Sequence, residues 1–199
     1  MKALQIIGFF AALLSVQLVH AQRTYTFSES TKVVVTGTST LHDWEAKVDE
    51  VSGTAKLDLN QQTLNSIDLL SLKFASESLH SGKDAMDKNI YKALKTGKYP
   101  HIQFILKEVK EIRKTGEGKA AVTAKGNLTI AGVTKPIHLT AQAILKQEEV
   151  AFRGEYTIDM TQYGIEPPKA MLGTIKTGKD VVFHFDLTFK TLPNGTSGK

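Results

Sequence analysis

The sequence predicts an all-β protein, an antiparallel barrel of about eight strands with one short helix inserted after the fourth or fifth strand. Three observations predict it. Four long stretches alternate apolar and polar residues with period two, the habit of strands with one wet and one buried face. Turn residues punctuate those stretches, at Thr115-Gly116-Glu117-Gly118, Ala131-Gly132-Val133-Thr134 and Gln147-Glu148. And the inward sets mix bulky residues with many small ones, which suits a ring of about eight strands whose bore keeps unfilled volume lined by carbon, room for one small ligand. A two-sheet sandwich, in which the small residues mark tight packing of the second sheet, stays open on this pattern.

The strongest alternation runs through Val181, Phe183, Phe185, Leu187 and Phe189. A second runs through Val150, Phe152, Gly154, Tyr156 and Ile158. A third takes Ala120, Val122, Ala124, Gly126, Leu128 and Ile130, and a fourth Ile137, Leu139, Ala141, Ala143 and Leu145. Weaker strands are expected over 24–28, 32–38, 45–59, 66–74 and 101–112. Within 45–59 the apolar register changes from Ala46 and Val48 to Val51, Ala55, Leu57 and Leu59, so a bulge or sharp bend is expected near Asp49-Glu50. Only 81–96 shows helical spacing, with Met86, Ile90, Ala93 and Leu94 on one stripe. Ser81 is the expected N-cap with Asp84 as its acid, and Gly97 the expected C-cap.

The 199 residues suit one domain, and the 25 Lys+Arg against 20 Asp+Glu leave a modest positive balance. The lysines are dispersed and often neighbour acids, which argues against a nucleic-acid surface. The chain has no cysteine, so disulfides, thiolate metal sites and a thiol nucleophile are excluded. Lys2, the apolar stretch from Ala3 to Val19 and the Val19-His20-Ala21 site have the layout of a secretory signal peptide. Residues 1–21 are therefore expected to be cleaved, 22–192 to form the barrel, and 193–199 to be a frayed tail. Export points to a bacterial periplasm. Neither a phosphate loop nor a Gly-x-Ser-x-Gly elbow is present. His42, His80, His101, His138 and His184 lack metal-ligand spacing, so no metal, cofactor or catalytic residue is expected. His42-Asp43 beside Trp44 reads as a turn with the indole packed into the barrel end.

Three segments carry a family resemblance. Residues 75–104 include Leu79-His80-Ser81-Gly82-Lys83-Asp84 and end in Lys98-Tyr99-Pro100-His101-Ile102-Gln103-Phe104. Residues 126–139 read Gly-Asn-Leu-Thr-Ile-Ala-Gly-Val-Thr-Lys-Pro-Ile-His-Leu. Ile158-Asp159 precedes Tyr163-Gly164-Ile165 ahead of the last strand. Together these resemble the YceI-like family over nearly the whole chain. The resemblance implies an extended lipocalin-like barrel, exported in bacteria. It also implies a long polyisoprenoid, an isoprenoid quinone or prenyl phosphate, held in the interior. The Ser39-Thr40-Leu41-His42-Asp43-Trp44 stretch and the segment Ile165-Glu166-Pro167-Pro168-Lys169-Ala170-Met171 depart from the family pattern.

Expected cavity-lining residues are then Phe74, Phe104, Leu106, Leu128, Ile130, Leu139, Ala141, Phe152, Tyr156, Phe183 and Phe185, with Trp44, Met86 and Ile90 at the ends. His80, Lys83, Lys88 and His101 are the candidates for a head group. The partners expected are a long-chain lipid, transiently a membrane surface, and a second copy of the chain. The alternatives are a binding module that presents its loops to a protein or glycan, and an enzyme acting on a lipid precursor.

Overall fold

The structure is a computed structural model and describes residues 23–146 and 149–191. The expected leader over 1–21, the turn at Gln147-Glu148 and the tail over 193–199 lie outside the described residues.

In chain order the strands are β1 (Arg23–Phe27), β2 (Lys32–Ser39), β3 (Trp44–Val48), β4 (Ser52–Asn60), β5 (Thr63–Ala75) and β6 (Leu79–His80). Helix α1 (Asp84–Leu94) follows. Then come β7 (His101–Gly116), β8 (Lys119–Ile130), β9 (Val133–Leu145), β10 (Glu149–Asp159), β11 (Lys169–Ala170) and β12 (Ile175–Thr191). All pairings are antiparallel, in the order β1-β4-β5-β7-β8-β9-β10-β12, and β1 pairs β12 to close an eight-membered ring. An antiparallel sheet closed in this way has no free edge. Segments β2, β3 and β6 continue the order beyond β12.

That order becomes simple when three kinks are recognised. β1 and β2 are one strand broken at 28–31, β3 and β4 one broken at 49–51, and β5 and β6 one broken at 76–78. The barrel is then an up-and-down meander of eight staves. The three breaks lie side by side, and the Asp49 amide bonds the Ser78 carbonyl across two of them at 3.1 Å. At the first break the Thr31 side chain repairs the ladder. Its hydroxyl donates to the Thr188 carbonyl at 3.0 Å and accepts from the Thr188 amide at 3.1 Å, taking the place of a backbone group. The bend expected at Asp49-Glu50 is thus present. Counted as strands, 24–28, 32–38, 45–59 and 66–74 put the helix after the fourth. In the barrel it follows the third stave, because the first two runs form one.

The helix has the expected three turns but different ends. Lys83, not Ser81, is the N-cap residue, and no side chain caps it. Lys95 ends the helix in the left-handed region, at φ 55°, two residues before Gly97. Ser81 is used elsewhere: its amide and hydroxyl both donate to Asp87, at 2.8 and 2.5 Å.

The alternation places the inward residues as expected. Every second residue of β8 from Ala120 to Ile130 is buried, as are Ile137, Ala141, Ala143 and Leu145 of β9. His138 and His184 face outward. One end of the bore is closed by the fully buried Leu57, Ala143, Val150 and Phe189, with the Phe27 ring 4.4 Å from that of Phe189. The small residues do not all mark empty space. The Phe104 ring covers Gly126, and the Phe185 ring lies where a methyl group on Gly154 would approach it to 2.7 Å. These glycines are seats for aromatic rings from the adjoining strand. Gly126→Ala should therefore lower stability by about 1–3 kcal/mol, the usual cost of overpacking. Urea unfolding would measure it, and Phe104→Leu in the same chain should restore part of the loss.

Candidate functional site

The rest of the bore is hollow. A mouth chamber of about 390 Å³ opens at the end carrying α1, and an inner chamber of about 110 Å³ lies below it. Ile102 and Phe183 border both and mark the junction.

The mouth is built from three pieces. Helix α1 turns Met86, Ile90 and Leu94 toward the chamber, as the 3.6-residue repeat of its apolar stripe dictates. The β2–β3 hairpin supplies Leu41, His42 and Trp44. The segment before β12 supplies Ile165, Pro168, Lys169 and Met171. The hairpin is held by the Ser39 hydroxyl, which accepts from the Leu41 and His42 amides at 3.2 Å each and donates to the His42 carbonyl at 2.7 Å. Thr40 joins it to β12 through its amide, which donates to the Lys176 carbonyl at 3.0 Å. The Trp44 indole lies on Gly37 and donates to the Thr38 carbonyl at 3.2 Å. His42 Nδ1 donates to the Asp43 backbone carbonyl at 2.7 Å, not to the Asp43 carboxylate.

The helix is pinned to the kinked stave that precedes it. Tyr91 donates to the Glu77 carbonyl at 2.9 Å, and Thr96 to the Glu77 carboxylate at 2.7 Å. The Ser76 hydroxyl donates to the Tyr99 carbonyl at 3.0 Å. Asp87 takes the two bonds from Ser81 and faces His80 at 3.4 Å, while His80 Nε2 lies 3.1 Å from Asp49. Burial alone would raise the Asp87 carboxyl, but Ser81 and His80 together hold it below its ordinary 3.8. At the end of β10, Lys179 and Thr161 hold Asp159 down at about 2. Burial pushes Tyr163, which anchors the following turn, up to about 12.

Of the expected lining residues, Trp44, Met86, Ile90 and Ile130 border the mouth chamber, and Phe183 borders both chambers. Phe74, Phe104, Leu106, Leu128, Leu139, Ala141, Phe152, Tyr156 and Phe185 border the inner chamber. Among the inner residues Tyr156 alone carries a titratable group, so that chamber offers no acid–base pair. Of the expected head-group residues only Lys83 reaches the mouth, and it has no ion-pair partner among the described residues. His80 is engaged by Asp49 and Asp87. Lys88 is two residues from Met86, on the opposite face of the helix. His101 alternates with the inward Ile102 and points out. Sequence reasoning missed Ser39, His42, Asn89, Lys169 and Thr177, the other polar residues at the mouth. Asn89 was findable, since it lies three residues from Met86 on the same stripe. The others lie in the β2–β3 hairpin or at strand ends, where alternation gives no signal to read. Among the described residues no group of three or more His, Asp or Glu side chains could hold a metal ion.

The Asp87 anchor gives a pH dependence with a definite sign. A carboxyl held below its unfolded value stabilises above about pH 3.8, and the contribution is lost as the pH falls through the lower folded value. Hydrogen exchange should show α1 amides losing protection in this acid range before the amides of β8 and β9. Asp87→Asn should lower that protection at pH 7 and flatten its dependence below pH 4.

The comparisons with known proteins agree with this architecture. A polyisoprenoid-binding domain from Saccharophagus degradans, implicated in plant cell wall breakdown, superposes with a TM-score of 0.65 at 12% identity, covering 86% of this chain and all of that one. BcnA of Burkholderia cenocepacia gives 0.62 at 16% identity over 79% of this chain and 95% of its own. The YCEI protein of Campylobacter jejuni gives 0.57 at 17% identity over 75% and 85%. In sequence, a UPF0312 protein of Pseudomonas putida (strain W619) is 33% identical over 114 residues, 53% of this chain and 57% of that protein. One from Pseudomonas syringae pv. tomato is 32% identical over 137 residues, 65% and 64% respectively. The chain thus spans less than two thirds of the length of these curated relatives. The family model described as the YceI-like domain matches residues 19–189, and the chain belongs to that family.

Proposed function

We propose that the protein is a non-enzymatic binding protein that encloses a long apolar lipid of the polyisoprenoid class, and that it does so after export to the periplasm. The observation that carries this reading is the pair of adjoining chambers walled by carbon, with polar groups confined to one end. A mouth chamber of about 390 Å³ falls within the range of small-molecule sites. Ile102 and Phe183 border both chambers, so a chain entering from the mouth would pass these two side chains to reach the inner one. Burying several hundred Å² of its surface would contribute on the order of 10 kcal/mol before the costs of ordering it. The head group stays at the rim, where Lys83, His42 and Asn89 offer it a cation and hydrogen bonds. The S. degradans domain, described as polyisoprenoid-binding, supports the ligand class by its shared fold.

The rival reading, loops presented to a protein or glycan, asks for an exposed aromatic patch over 163–171. Tyr163 is instead buried, and the large hydrophobic residue exposed there is the non-aromatic Met171. The enzyme reading asks for a buried acid or base inside the bore, and the inner lining supplies Tyr156 alone.

Trp44 is the chain's single tryptophan and stands at the mouth, so its emission reports loading. Titration with a prenyl alcohol from detergent should shift that emission. Ala141→Phe fills the inner chamber and should weaken long prenyl chains by about tenfold while short ones bind as before. A folded Ala141→Phe variant with undiminished long-chain binding would count against the inner chamber as the site. Lys83→Ala should lower affinity for a prenyl phosphate by about tenfold and leave the uncharged alcohol unaffected. Organic extraction of protein from its native host, followed by mass spectrometry, should release a prenyl lipid. Extracts with none would overturn the proposal.

A further inference from the structure

We propose that the mouth itself docks on a phospholipid surface containing anionic lipid, so that the ligand passes between bilayer and bore without crossing water. The inference rests on the lipid-binding reading and adds a partner to it. Three large apolar side chains stand in solvent at the rim: Leu41 is 65% exposed, Met171 73%, and Leu172 fully exposed. Leu41 and Met171 also line the mouth chamber, so the carbon wall of the cavity continues onto the outer surface. The backbone that presents them is unusual. Met171, Leu172 and Gly173 have φ of 50, 56 and 89°, three successive residues in a region that bulky side chains avoid. A costly turn that holds a leucine in water is explained when that leucine has an apolar medium to enter.

The surrounding charge has the sign that anionic head groups select. Lys83 at the mouth leads into Lys88, Lys92 and Lys95, all exposed along α1, against one exposed acid, Asp84. Across the opening, Lys169 and Lys176 are paired in register between β11 and β12. Asp43 and Glu166 are the acids beside them, and Glu166 lies 3.5 Å from Lys169. Apolar side chains framed by lysines match the interface of a bilayer with negative surface potential. A second copy of this rim would set lysines against lysines.

The test is co-sedimentation with vesicles of phosphatidylcholine alone and with one quarter phosphatidylglycerol, at low and high salt. The protein should bind the phosphatidylglycerol vesicles more tightly, and high salt should erase the difference. Leu172→Asp should weaken vesicle binding by about tenfold. K88Q/K92Q/K95Q should remove the preference for the anionic vesicles. Neither change touches the chambers, so both variants should keep wild-type uptake of a prenyl alcohol delivered from detergent micelles. That second readout separates the two ideas: uptake without vesicle binding in the wild-type protein would overturn docking and leave the cavity reading intact. Vesicle binding unchanged in Leu172→Asp would also overturn docking. So would a dimer, seen by light scattering, that Leu172→Asp converts to monomer, because the rim would then be an interface between copies.

Discussion

A ring of eight antiparallel strands has a bore too narrow to be a channel and just wide enough to need a decision. Its inward residues either fill the bore or leave a hollow, and the pleat gives each strand only every second position with which to do so. This chain divides the bore by position. Near the closed end Phe189, Val150 and Leu57 fill it, backed by the small Ala143. In the middle, Phe104 and Phe185 lie down on glycines and leave room beside them. Toward the mouth the aliphatic wall stands back, and a helix takes over from the sheet. Stability and capacity draw on the same inward positions, so each ring that lies on a glycine serves the core and shapes the hollow together.

The polar groups are distributed by the same logic. A buried charge without a partner is expensive, so the walls carry none. The exposed mouth can bear Lys83, His42 and Lys169 because water still reaches them. The buried carboxylate of Asp87 is set outside the bore and given the Ser81 hydroxyl and amide. It holds the helix in place and stays out of the chambers.

The sequence shows most of the barrel wherever a strand is long and wet on one side, as in β8, β9, β10 and β12, because the pleat prints alternation directly onto the residues. It shows the kink at 49–51 because a register change is visible in one dimension. It does not show that the breaks at 28–31 and 76–78 lie beside it, since that adjacency is made by pairing between distant segments. The glycines of β8 and β10 read as vacancies, because the rings that cover them belong to other strands. The helix caps misled for a similar reason: Ser81 and Gly97 have the right local chemistry, but Asp87 draws Ser81 away and Lys95 adopts the left-handed turn first. At the mouth, periodicity located the apolar wall and the sequence named Lys83, but the rest of the polar rim is gathered from a hairpin, a helix and two strand ends that only the fold brings together.

The three aligned kinks divide the wall into two tiers. Below them the ring is complete, and every neighbouring stave is laced to the next. Above them, among the described residues, β6 pairs with β3 alone, and on its other side α1 is tied to this stave through Tyr91, Thr96 and Asp87. Swinging the helix outward would dilate the aperture while leaving the lower ladder unbroken. In a barrel that took up a guest, girth and length would then be gauged by separate parts: the helix tied to one stave at the top, and the closed ring of strands beneath it.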